Sequence, residues 1–259
     1  MSAPMKCLIA VALCVILVSP LQAQRGIHQT DRYGAIVRGD TTRKAIALVL
    51  TGHEFADGGS SVRKTLRAKK VPASFFFTGA FYANPVFSKL IRQLKKDGHY
   101  LGAHSNRHLF YADWDNRDST LVTADEFRQD LIDNYTIMAE YGITHADANY
   151  FLPPYEWYNK TIADWTKEMN LTLINFSSGT RSHADYTYPA MGSRYVGSDE
   201  IYQSILNYEM LNGMNGFILL IHIGTDPRRT DKLYHQLDKL IDELRAKGYA
   251  FKRVDDLLR

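Results

Sequence analysis

Two histidines four apart, His104 and His108 in the run His104-Ser105-Asn106-Arg107-His108, are the residues of this chain best suited to chemistry. Side chains at i and i+4 share one face of a helical turn, so both imidazoles can reach a single divalent cation. The preceding run, Asp97-Gly98-His99-Tyr100-Leu101-Gly102-Ala103, reads as a turn and then a short strand. The pair therefore falls at a strand's C-terminal edge, where parallel α/β folds collect their chemistry. Taken alone, the spacing equally describes two histidines on a surface loop.

Other polar clusters follow apolar runs in the same way. Ala45 to Leu50 reads as a buried parallel strand and is followed by Thr51-Gly52-His53-Glu54-Phe55-Ala56-Asp57-Gly58. Tyr150-Phe151-Leu152 precedes Pro153-Pro154-Tyr155-Glu156-Trp157, and Leu171 to Phe176 precedes the stretch from Gly179 to Tyr186 with Arg181 and Asp185. Gly216 to Ile221 runs into His222-Ile223-Gly224-Thr225-Asp226. Between these lie helical patterns at Ser61 to Ala68, Pro85 to Lys96, Thr123 to Tyr141 and Lys232 to Lys247, with Thr123 and Glu126 forming a capping box. Ala73 to Phe77 and Phe251 to Val254 complete the strands. Strand and helix alternating this regularly predict a parallel barrel or a doubly wound sheet. Packing alone gives no reason for ionisable groups at so many strand ends.

The ends of the chain bound the rest. Residues 1–23 carry Lys6, an apolar run from Leu8 to Val18 and then Ser19-Pro20-Leu21-Gln22-Ala23, the pattern of a cleaved signal peptide. Both cysteines, Cys7 and Cys14, lie inside it, so the mature chain has neither disulfides nor thiol chemistry. This points to a secreted or periplasmic protein in a bacterial setting. No other stretch is long and apolar enough to span a bilayer. The net charge is +3 with mixed signs, which leaves no nucleic-acid footprint. Residues 24–43 read as an N-terminal extension and 44–259 as one domain.

With these motifs in order, the chain from about Lys44 onward resembles the polysaccharide deacetylases, the NodB-homology or family 4 carbohydrate esterases. His104-Ser105-Asn106-Arg107-His108 matches their histidine pair, Leu219-Leu220-Ile221-His222 their late catalytic-histidine strand, and Pro153-Pro154-Tyr155 their aromatic loop. The resemblance implies a distorted (β/α) barrel that removes N- or O-acetyl groups from a glycan with a divalent metal. It implies His104 and His108 as ligands, His222 as proton donor and the Tyr155 N–H as an oxyanion contact.

Two departures matter. The family's Thr-Phe-Asp-Asp-Gly motif supplies a base and a metal ligand. A gapped match to Phe55-Ala56-Asp57-Gly58 keeps Asp57 as ligand, with Ala56 in the base position. A gapless match puts Thr51 and Gly52 at the two Asp positions, leaving His53, Glu54 or Asp57 to reach the metal; Asp57 is preferred. The family's Arg that pairs with the base is replaced by Leu152. Loss of both partners is coherent, since a buried guanidinium without its carboxylate costs on the order of 3–5 kcal/mol.

Glu54 is the first candidate for a replacement base, then Glu156, then His53, which could serve instead as an additional ligand. Arg181, Asp185, Trp157 and Glu156 are candidate substrate contacts, with Tyr82, Trp114, Tyr155 and Tyr158 as further aromatic platforms. Asp185 is also the loose match for the acid that supports the catalytic histidine, with Asp226 the alternative. Zinc is the expected metal; cobalt or nickel suit the same donors. Two alternatives stand beside deacetylation: a catalytically silent carbohydrate-binding relative, and an amidase acting on a non-acetyl C–N bond.

Overall fold

The computed structural model describes residues 28–259, so the expected signal peptide lies outside the described residues. The chain folds into a nine-stranded, mostly parallel sheet that curls into a distorted half-barrel covered by helices. Strands β1 (Gln29–Thr30) and β2 (Ile36–Arg38) form an antiparallel pair. Then come β3 (Ala45–Gly52), helix α1 (Gly59–Lys69), β4 (Ser74–Phe77), α2 (Gly79–Ala83), α3 (Ser88–Lys96) and β5 (Tyr100–Ala103). The chain continues through α4 (Ala124–Ala139), β6 (Tyr150–Phe151), α5 (Lys160–Glu168), β7 (Thr172–Leu173) and α6 (Ser198–Asn212). It ends with β8 (Phe217–His222), α7 (Leu237–Ala246), β9 (Ala250–Lys252) and α8 (Val254–Leu257).

The spatial order β1-β2-β8-β3-β4-β5-β6-β7, with β9 beside the start of β3, explains the apolar runs. Every residue of β3 is buried, because one face looks into the barrel and the other lies under helices. Past β7, Ile174 bridges Ile36 of β2, and this contact curls the sheet back on itself. Part of the expected extension is thus built into the sheet: Arg38 pairs with Phe217 of β8.

Local chemistry sets the helix ends. The Thr123–Glu126 capping box of α4 forms in both directions, and the Asn159 side chain accepts the Ile162 N–H at the start of α5. The expected strand from Leu171 to Phe176 shortens to Thr172–Leu173, because the chain then leaves its ladder to meet Ile36 and Ile218. Parallel register aligns the strand ends: Thr51 pairs with His222 of β8 and Phe76 of β4, and Gly52 with Phe77, which pairs with Ala103. All of these edges open into one pocket.

Candidate active site

A pocket of about 420 Å³ sits at the C-terminal edge of the strands, walled by His53, His104, His108, Glu156 and His222 with Thr51 among them. His104 follows β5 directly and is buried. Its Nδ1 donates to the Leu152 carbonyl at 2.8 Å, which leaves Nε2 as a lone-pair donor. The pair does not sit on a helical turn as its spacing suggested. Residues 104–108 form a loop in which Ser105 (φ 68°) and His108 (φ 57°) are left-handed, and the rings meet with centroids 5.1 Å apart. The loop is pinned instead by side chains. Ser105 Oγ accepts the His108 N–H, and the buried Asp130 of α4 accepts the N–H groups of Asn106 (3.0 Å) and Arg107 (3.1 Å) and the Tyr111 hydroxyl (2.8 Å).

The third imidazole is His53. It lies parallel to His108 at 4.6 Å, and its Nδ1 is 3.0 Å from Thr78 Oγ1. Burial is the main reason all three rings resist protonation: His104 is pushed down to about 3, His108 to about 2, and His53 also falls. Neutral rings are the form that binds a metal. Among the described residues, no three His, Cys, Asp or Glu side chains already close around one point. The donor set nevertheless fits an ion: three neutral imidazoles lie in ring contact, two with their Nδ1 engaged by a neighbour.

Asp57 does not join this group. Its Oδ1 accepts the Thr225 N–H at 2.8 Å, and its Oδ2 meets the Tyr234 hydroxyl (2.8 Å) and Lys232 Nζ (2.9 Å). It faces a separate groove between α1 and α3 that contains none of the histidines. Gly52 explains why β3 ends without a carboxylate ligand. A Cβ there would meet Ile223 and Phe77 at 2.9 Å and Phe81 at 3.0 Å, so apolar packing fills the space, and the next residue, His53, is the one that reaches the pocket.

On the opposite wall, His222 Nδ1 lies 2.6 Å from Asp185 Oδ1, and its backbone N–H donates to Asp185 Oδ2 at 2.9 Å. Burial works against the imidazolium, but Asp185 and then Glu156 outweigh it, so His222 binds its proton more tightly than usual. Asp185 is thereby occupied with His222 and is not a free substrate contact. Asp226 is held by Arg228 instead.

Tyr155 (φ 58°) and Glu156 (φ 54°) are consecutive left-handed residues, a conformation that costs roughly 1–2 kcal/mol at each non-glycine position. The turn's own bonds use the amides of Glu156 and Trp157, so the Tyr155 amide stays outside them. Glu156 reaches the pocket, where burial, opposed by His222 and reinforced by Asp185, lifts its carboxyl to about 7. Glu54 is exposed at the rim, shared between the pocket and the neighbouring groove.

Of the aromatic candidates, Trp114 and Tyr155 are 55% and 44% exposed at the rim, and Tyr155 leans on His108 at 4.3 Å. Tyr82 and Tyr158 are core residues. Trp157 sits behind Trp114 with the Arg117 guanidinium 3.8 Å over its ring. Arg181 is exposed and does not line the pocket. The reading of strand ends passed over Thr78, Tyr188, Met191, Arg194 and Asp130. Thr78 stands directly after β4, which the sequence itself marks. Asp130 shares the buried face of α4 with Phe127, Leu131, Asn134 and Met138, and an acid on an apolar face was its signal.

The curled half-barrel is the fold of the family 4 carbohydrate esterases. The polysaccharide deacetylase family profile matches residues 39–174, and the chain belongs to that family. It is 26% identical over 195 residues to the peptidoglycan-N-acetylglucosamine deacetylase of Bacillus cereus, covering 75% of this chain and 78% of that one. It is 27% identical over 231 residues to the peptidoglycan-N-acetylmuramic acid deacetylase PdaA of Bacillus subtilis, covering 88% and 76%. The solved structure of PdaA superposes with a TM-score of 0.67 over 87% of this chain and 85% of that one, at 26% identity. A family 4 pseudoenzyme from Bacillus anthracis shares the fold at TM-score 0.67 and 17% identity, covering 87% and 69%.

Proposed function

We propose that this protein hydrolyses acetyl groups from a peptidoglycan-type glycan, with Glu156 as the base and His222 as the proton donor. The observation that carries the reading is Glu156 itself: a carboxylate held on left-handed backbone in the pocket that is also walled by three imidazoles and by His222, which Asp185 holds from behind. The family's enzymes are metal-dependent. His53, His104 and His108 would hold the ion, and we infer zinc from an all-imidazole donor set. When bound, it supplies polarisation of the acetyl carbonyl and acidification of water.

The chain's own residues do the rest. Glu156 takes a proton from the attacking water, and its raised pKa suits a base working near neutrality. The Tyr155 amide offers a hydrogen bond to the developing oxyanion. His222, held by Asp185 through Nδ1, has Nε2 free to deliver a proton to the departing nitrogen or oxygen. Trp114 and Tyr155 give a sugar ring an apolar rim. Secretion through the residue 1–23 segment would bring the protein to such a substrate.

A second reading, a carbohydrate-binding relative without turnover, is favoured by one observation: β3 carries no carboxylate at its end, and Leu152 replaces the Arg that would accompany one. Acetate release from purified peptidoglycan separates the two. Deacetylation predicts release that a chelator stops and added zinc restores. Glycan binding with no acetate under either condition selects the silent relative.

A further inference from the structure

The groove between α1 and α3 has a volume of about 1220 Å³ and shares Glu54, Phe55 and Thr225 with the pocket as a common wall. The two helices that flank it carry charge of one sign. Arg63, Lys64, Arg67 and Lys69 lie on α1, Lys89, Arg92, Lys95 and Lys96 on α3, and neither helix has an acid. The whole chain is nearly balanced, with 31 basic residues against 28 acidic, so the segregation is local. Several of these cations are engaged. Asp97 clamps Arg63, Lys69 meets Asp242, and Lys95 donates to the carbonyls of Tyr141 and Gly142. Lys64 and Lys89 differ: both are exposed, both line the groove, and neither has an acidic partner among the described residues. The acids on its walls are Glu54, at the boundary with the pocket, and Asp57, which Lys232 neutralises. Much of the remaining lining is apolar, with Phe55, Phe87, Leu90 and Val86, the last 79% exposed.

An apolar groove between unpaired lysines suits an occupant with small apolar side chains and carboxylates. A neutral acetylated sugar chain has neither. The stem peptides of a peptidoglycan-type glycan have both, and they branch from the sugars themselves. A peptide leaving a sugar seated in the pocket meets the groove across the shared wall of Glu54, Phe55 and Thr225. We propose that the groove between α1 and α3 takes the acidic stem peptide of the glycan whose acetylated sugar occupies the pocket, with Lys64 and Lys89 as contacts for its carboxylates. The proposal rests on the deacetylase reading. A single exposed ammonium contributes little in water, but several of one sign along a groove attract an anion together. The groove lies outside the reacting centre, so its contribution is to substrate binding and to the choice of peptide-bearing glycan, not to the chemical step.

The test measures acetate release by zinc-loaded protein from N-acetylated glycan fragments that carry their stem peptides, and from the same fragments with the peptides cleaved off. Lys64→Glu combined with Lys89→Glu should raise KM about fivefold or more on the peptide-bearing fragments at unchanged kcat, and leave the peptide-free fragments unaffected. Lys64→Gln combined with Lys89→Gln should move KM the same way by a smaller factor. Both lysines are exposed and unpaired, so melting temperatures should stay within about 2 °C of the wild type. Unchanged KM on the peptide-bearing fragments overturns the proposal, as does an equal rise on both substrates. Loss of sedimentation with phosphatidylglycerol vesicles in the Glu double variant, with KM unchanged, assigns the groove to a lipid surface and also overturns it. If the wild type releases no acetate, the deacetylase reading fails separately, and calorimetric binding of the two kinds of fragment then decides for the groove. Binding of the peptide-bearing fragments alone weakened about fivefold or more in the Glu double variant supports the assignment; equal binding, or none to the wild type, overturns it.

Discussion

The imidazole of His53 lies flat against that of His108, centroids 4.6 Å apart and planes within 16°. This contact puts His53, the residue that directly follows β3, beside the histidine pair. Asp57, the donor the sequence favoured, lies in another groove with its carboxylate held by Lys232, Tyr234 and the Thr225 amide.

Zinc titration by calorimetry should therefore divide these residues sharply. Replacing His53, His104 or His108 by Ala should weaken binding by at least about tenfold each. Asp57→Asn should bind zinc like the wild type and lose no more than about 1 kcal/mol of stability, since its ion pair is partly exposed. Weakened binding in Asp57→Asn, with His53→Ala unaffected, would return the ligand role to the acid.

Glu156 and His222 set opposite limbs of the pH profile. A base acts deprotonated, so kcat/KM should rise with pH through about 7, where burial has lifted the Glu156 carboxyl. An acid acts protonated, so the rate should fall again above the raised pKa of His222. Glu156→Gln should remove the rising limb and cost about 10²–10⁴ in rate, whereas Glu54→Gln should keep both limbs. Loss of the rising limb in Glu54→Gln would make the exposed acid the base.

Away from the pocket, His99 makes the fold acid-sensitive. It is buried, its Nδ1 accepts the Ala73 N–H, and burial pushes its pKa down to about 4. In the unfolded chain the ring titrates near 6.5, so stability is complete above that pH and drains away as pH falls toward 4. At about pH 5.5 the loss should be about 1.4 kcal/mol. Denaturant midpoints across this range should show the slope, and His99→Gln should flatten it. An unchanged slope in that variant would show that His99 titrates freely in the folded state.

The barrel and the motif order were legible because parallel strands buried on both faces read as unbroken apolar runs, as in Ala45 to Leu50 and Phe217 to Ile221. His104, His108 and His222 were legible because each stands at the end of such a run. The choice among His53, Glu54 and Asp57 was not. All three share one loop, and only the packing of Ile223, Phe77 and Phe81 around Gly52 shows where that loop turns. The helical turn assigned to His104–His108 failed for a related reason. Ser105 and Asp130 fix that backbone, and Asp130 lies more than twenty residues away on α4.

Acetate release from purified peptidoglycan, measured for the zinc-loaded wild type beside His222→Ala and Asp185→Asn, tests the central claim most directly. The wild type should release acetate steadily. His222→Ala should lose about 10²–10⁴ in rate, and Asp185→Asn should be slowed with a lowered His222 pKa. Release from the wild type that continues undiminished in His222→Ala would contradict the account.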